Sequence, residues 1–168
     1  MRLPLTVMTF TAIAWVALPA LVQADTVTIA AATAFSDDSG ASENVKRECD
    51  LQGRLPKYVK DYAKKHTKVE ITTNDLDSVE GKVLYLTFDH VYAPGGGGYS
   101  GAKSVSVEGE LKENGEVIGS FTVDRAALFA MTPGTCAMLK RAAKKLGEDI
   151  GLWLAAPEMD SMLGDAAS

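Results

Sequence analysis

From residue 68 to residue 124 the chain shows one pattern four times: a run of alternating apolar and polar residues, closed by turn formers. Side chains of an extended strand point to opposite faces with a period of two, so such runs read as strands with one face buried. Residues 68–73 place Val69 and Ile71 together. Residues 83–92 put Leu84, Leu86 and Phe88 on one side, with Tyr85, Thr87 and Asp89 on the other. Residues 103–111 point Val105, Val107 and Leu111 inward, and Ser104, Ser106, Glu108 and Glu110 toward water. The run at 116–124 gives Val117, Phe121 and Val123 one face. Between the last two runs, Asn114-Gly115 can take positive φ twice, which predicts a type I′ hairpin and antiparallel neighbours.

A sheet with one apolar face needs a cover, and segments with helical spacing flank the block. On the near side Ser42 is placed to cap a helix, and Val45, Cys49, Leu55, Val59, Tyr62 and Ala63 repeat at three and four residues. Gly53 and Pro56 interrupt that stripe, which predicts a short helix to about Asp50 and a second with Pro56 in its first turn. On the far side Thr132-Pro133-Gly134-Thr135 leads into a stripe of Cys136, Leu139, Ala143, Leu146, Ile150 and Trp153, which Pro157 ends. A strand over 26–32 precedes everything. The order β-α-β-β-β-β-α predicts an α+β two-layer sandwich, a mostly antiparallel sheet with two helices on one face. Residues 25–156 suffice for one domain. Residues 157–168 read as a flexible tail.

Residues 1–24 read as an export leader. Arg2 is its only charge, Pro19 breaks the apolar run, and Val22-Gln23-Ala24 supplies small residues for cleavage. The run is also long enough to span a bilayer, but the small-residue site fits a processed leader better. No cysteine follows the cut to carry a lipid, and no later stretch could cross a membrane. The product is expected in the periplasm or secreted. There the only two cysteines, Cys49 and Cys136, are expected to form one disulfide. The absence of a C-x-x-C spacing argues against a redox role.

Without Arg2 the chain carries 16 basic and 22 acidic residues, a net of −6, which argues against nucleic acid as a partner. The two signs are segregated. Ten of the basic residues fall on or beside the two helical segments. From these, Lys57, Lys60, Lys64, Lys140, Arg141 and Lys144 form a candidate face for an anionic envelope component or an envelope protein. A solvated helical face is the plainer explanation, since lysine stems commonly cover apolar surface.

Catalytic signatures are missing. Residues 96–104, GGGYSGAKS, come close to a phosphate loop, but Ala102 separates Gly101 from Lys103 and a strand follows instead of a helix. The same segment imitates a nucleophile elbow around Ser100, again without the following helix. A hydrolase using Ser100, with His90 as its base, is the alternative function. The plainer reading of Gly95, Gly96, Gly97, Gly98 and Tyr99 is a mobile connection, able to bind something at most. His66 closes a lysine-rich helix, and His90 alternates with Asp89 across a strand, so the two do not pair. No metal and no cofactor are expected.

Glu48-Cys49-Asp50-Leu51, together with Gly134-Thr135-Cys136 opening a helix that ends in residues 150–154, resembles a family of small exported bacterial proteins of unassigned function. The likeness spans residues 27–154. The strand–helix–strands–helix order is also similar to envelope lipoproteins that activate cell-wall synthases or assist curli secretion, although their lipid-bearing cysteine is missing here. That topology implies an accessory or binding role. The oligomeric state and the partner's identity stay open.

Overall fold

A computed structural model describes residues 26–128 and 134–167, and the leader assigned to residues 1–24 lies outside them. The sheet has seven strands: β1 (Thr26–Ala30), β2 (Ala34–Phe35), β3 (Lys68–Thr72), β4 (Lys82–Tyr92), β5 (Lys103–Glu113), β6 (Glu116–Ala127) and β7 (Ser161–Gly164). Its order is β3-β1-β4-β5-β6-β7, with the short β2 also on β4. The helices are α1 (Glu43–Glu48), α2 (Leu51–Ala63) and α3 (Thr135–Trp153). The expected α+β class is correct.

The sheet is mixed. The long pairs β4–β5 and β5–β6 are antiparallel, the second as the Asn114-Gly115 turn requires, and both turn residues have positive φ. β1, however, runs parallel to both β3 and β4. A crossover through α1 and α2 returns the chain to the start of a parallel neighbour. Residues 73–81 then carry it back past β1 to begin β4.

Two register shifts modify the simple alternation. One, between Phe88 and His90, leaves Asp89 outside the ladder. Ser36 fills that place: its N–H donates to the Phe88 carbonyl at 2.9 Å and its hydroxyl to the Asp89 carbonyl at 3.1 Å. The other, opposite Leu111 and Lys112, turns Ile118 toward the core where Val117 was expected. Ser106, expected to face water, is buried.

Three further expectations need correction. Pro56 is not in the first turn of its helix, because α2 already starts at Leu51. A proline there leaves the carbonyl of Gln52 without its helical donor. The N–H of Thr33 donates to that carbonyl at 3.1 Å, which satisfies the orphan. The first strand stops at Ala30, short of residue 32. Finally, residues 157–168 do not behave as a tail over their described length, since β7 adds to β6 as a parallel edge strand. Arg125 locks it there: Nε and Nη2 donate to Asp149 of α3 at 2.7 and 2.8 Å, and Nη1 donates to Asp165 at 2.9 Å. The Ala126 N–H also donates to Asp165, at 2.8 Å.

One core joins the layers. Val27, Ile29, Val105, Val107, Leu111 and Val123 of the sheet are buried with Leu51, Leu55 and Val59 of α2 and Leu139, Leu146 and Ile150 of α3. Phe121 meets Trp153 edge-on with centroids 4.7 Å apart, and its ring lies across Gly109, where a side chain would collide with it.

Candidate anionic-partner surface

The two long helices run side by side in the same direction. Cys49, just before α2, is bonded to Cys136 in the first turn of α3, with Cα atoms 4.9 Å apart. Further along, Tyr58 faces Gly147, and Tyr62 faces Gly151. A Cβ on Gly151 would lie 2.8 Å from Tyr62 Cβ and 2.9 Å from the Ala63 nitrogen. The four-residue spacing of the glycines brings both to one side of α3, and their missing side chains let the α2 backbone close in. At the far end the hydroxyl of Thr67 donates to the Leu154 carbonyl at 3.0 Å, tying the two helix ends together.

This seam creates a trough on the outer face. Tyr58, Tyr62, Lys64, Lys65 and His66 line it from the α2 side, and Lys144, Glu148 and Leu152 from α3, around a volume of about 850 Å³. A smaller hollow of about 320 Å³ continues around the end of α2, bordered by Lys60, Lys64, Lys65, His66 and Lys68. Cations at a helix C-terminus are also favoured by its dipole.

Of the expected face, Lys64 and Lys144 meet in the trough, and Lys60 joins Lys64 in the smaller hollow. Lys57, Lys140 and Arg141 lie on the same helices but line neither. Tyr58, Tyr62 and His66 were missed as members of the site. The signal for the tyrosines was present as two pairs at matching four-residue spacing, Tyr58/Tyr62 and Gly147/Gly151, but only the packing shows that they face each other.

The electrostatics favour an anion. Among the described residues, Lys57, Lys60, Lys64, Lys65, Lys140, Arg141 and Lys144 make no ion pair within 4 Å. Their neighbours Lys68 and Lys145 are paired, with Glu70 and Glu148, both at 2.7 Å. Those hydrogen bonds hold the Glu70 and Glu148 carboxyls below the usual carboxylate range. Both carboxylates are therefore engaged, and Asp61 is the other acid in the trough.

The open side of the sheet has the opposite sign, with Glu108 and Glu110 exposed on β5. There Tyr85 donates to Asp77 at 2.6 Å, and this bond, with burial and the Asp77 charge, pushes the phenol up to about 12.

At the glycine loop the chain makes a 3-10 turn over Gly97–Ser100, with Gly96 and Gly101 at positive φ on either side. Tyr99 is 98% exposed. The base expected for Ser100 does not reach it, since no hydrogen bond joins His90 to Ser100 among the described residues. Instead Lys103, fully buried, donates from Nζ to Ser100 Oγ at 2.9 Å and to the Gly101 carbonyl at 3.1 Å. Ser100 in turn donates to the Pro94 carbonyl at 3.3 Å. The described residues hold no cluster suited to a metal ion, and none of their helices is long and apolar enough to cross a membrane.

No family model and no curated protein matches the sequence. Solved structures do resemble it. A protein of the DUF330 family from Xanthomonas campestris superposes with a TM-score of 0.52 at 11% identity, covering 82% of this chain and 88% of its own. PelC from Paraburkholderia phytofirmans, described as a dodecamer, gives 0.48 at 16% identity, covering 79% and 93%. A minor lipoprotein from Acinetobacter baumannii gives 0.47 at 11% identity, with the same coverage. At 11% identity the likeness to the DUF330 protein is one of fold alone.

Proposed function

We propose that this chain is a non-enzymatic accessory or binding module of the bacterial cell envelope, exported by its leader, which engages an anionic partner through the outer face of α2 and α3. One observation carries the reading. On a chain of net negative charge, unpaired lysines converge on a single trough between two helices, and grooves between helices are common ligand sites. The fold shared with bacterial lipoproteins supports an envelope setting, and the disulfide suits an oxidising compartment.

The test is binding of the oxidised mature chain to a soluble polyanion, polyphosphate, at low and at physiological salt. Lys64→Glu, Lys65→Glu and Lys144→Glu together change only exposed side chains, so the fold is retained. Affinity is expected to fall by about tenfold or more in the triple variant, and to weaken steeply with salt in the parent. Equal binding by parent and variant would remove the trough from the proposal.

A second reading, a hydrolase, draws on one contact. Ser100 and Lys103 have the S-x-x-K spacing of some serine nucleophiles, and Lys103 Nζ is within hydrogen-bond reach of Ser100 Oγ. The same contact equally clasps the loop. Fluorophosphonate labelling of Ser100 that is lost in Lys103→Met would establish the enzyme; an unlabelled parent leaves the lysine a clasp.

A further inference from the structure

Building on the anion-binding proposal, we infer that the ligand of the trough is an acidic glycan, bound as an extended chain along the seam between α2 and α3. Three observations point there. First, the floor is aromatic: Tyr58 and Tyr62 are both half-buried and stand one helical turn apart on the side of α2 that faces α3. Tyrosine offers an apolar ring and a hydroxyl that stays wet, which suits a sugar, whose ring has an apolar C–H face and a hydroxylated edge. Second, cations border this floor on both sides, with Lys64 and Lys65 from α2 and Lys144 from α3, none in an ion pair among the described residues, and they outnumber the two acids there, Asp61 and the Lys145-bound Glu148. An anionic group on a glycan backbone resting on the tyrosines would be flanked by them. Third, the trough is long. Lys144, Glu148 and Leu152 succeed one another at four-residue spacing along one side, a span of about 12 Å at 1.5 Å rise per residue.

The rival ligands fit less well. A bilayer is broad and flat, whereas these lysines border a concavity, and Leu152 is the one exposed large apolar side chain on it. An acidic protein needs roughly 800 Å² on each partner for a stable contact, and the trough is one seam wide. The glycines provide the shape. A side chain at Gly147 or Gly151 would force α2 away, so the site exists because the helices touch backbone to backbone.

The experiment measures affinity of the oxidised chain for four probes at one ionic strength: a uronic-acid oligomer, a neutral oligosaccharide of equal length, polyphosphate of matched charge, and phosphatidylglycerol vesicles. The uronic oligomer is expected to bind best, with the neutral sugar and polyphosphate each about tenfold weaker or more. Tyr58→Ala and Tyr62→Ala keep the Cβ atoms that pack on α3. Each is expected to lose about tenfold toward the uronic oligomer and to leave polyphosphate binding unchanged, while Tyr58→Phe and Tyr62→Phe retain most affinity. Polyphosphate binding as strong as the oligomer's, or no effect of the alanine variants, would overturn the glycan and leave the anion face standing. Preference for vesicles would also overturn it. Failure of every anionic probe would overturn both.

Discussion

Replacing Cys49 with serine is expected to cost about 4.6 kcal/mol of stability, the chain-entropy value for a bridge closing a sequence separation of 87. For a domain of this size that lowers the melting midpoint by roughly 15 °C. The loss comes mainly from the unfolded state. Without the bond, two segments separated by the whole strand block must find each other before α2 and α3 can align. Both sulfurs sit at the starts of parallel helices, so the bridge fixes relative translation as well as proximity. Denaturant melts of Cys49→Ser, Cys136→Ser and the reduced parent should show the same shift, because each removes the same cross-link. If all three unfold at the parent's midpoint, the bridge contributes nothing and the helix pair holds by packing alone.

A change of comparable size is expected from Gly147→Leu, which leaves the disulfide intact. A Cβ there collides with Tyr58 Cβ, and it would also stand 3.0 Å from the Tyr58 carbonyl carbon and 3.1 Å from the Val59 nitrogen. Backbone atoms cannot rotate aside as a flexible side chain can. Leu55 and Val59 are fully buried on the adjoining face of α2, so the helix cannot shift without disturbing the core. The cost is about 3 kcal/mol, at the upper end for overpacking. Gly53→Ala is the control. Its Cβ would meet only the side chain of exposed Asp50, at 3.1 Å, and alanine raises helix propensity, so stability should hold or rise by up to about 1 kcal/mol. Circular dichroism melts of the two variants make the comparison. Equal midpoints would mean that the helices are not held in backbone contact, and the trough between them would lose its physical basis.

The expectations for the helical face and for the glycine loop met different outcomes for one reason. On α2 and α3, helical periodicity decides which residues face outward, so Lys60, Lys64 and Lys144 could be placed on the surface from spacing alone. Which of them share a hollow depends on how the helices sit together, and that is set by Gly147 and Gly151 against Tyr58 and Tyr62. At the loop, residue type alone points to His90 as the base for Ser100. The structure pairs Ser100 with Lys103, three residues away and on the strand that follows.

Local rules decided the strands β3 to β6, the type I′ hairpin, the outward lysines and the pairing of Cys49 with Cys136, since each rests on periodicity, turn chemistry or the count of two thiols. Tertiary structure decided what depends on atoms far apart in the chain. It ran β1 parallel to its neighbours, gave the orphaned Gln52 carbonyl to Thr33, drew β7 onto β6 through Arg125, and set two tyrosines over two glycines. Periodicity reports which way one side chain points from its own backbone. It carries no record of which other backbone will lie there.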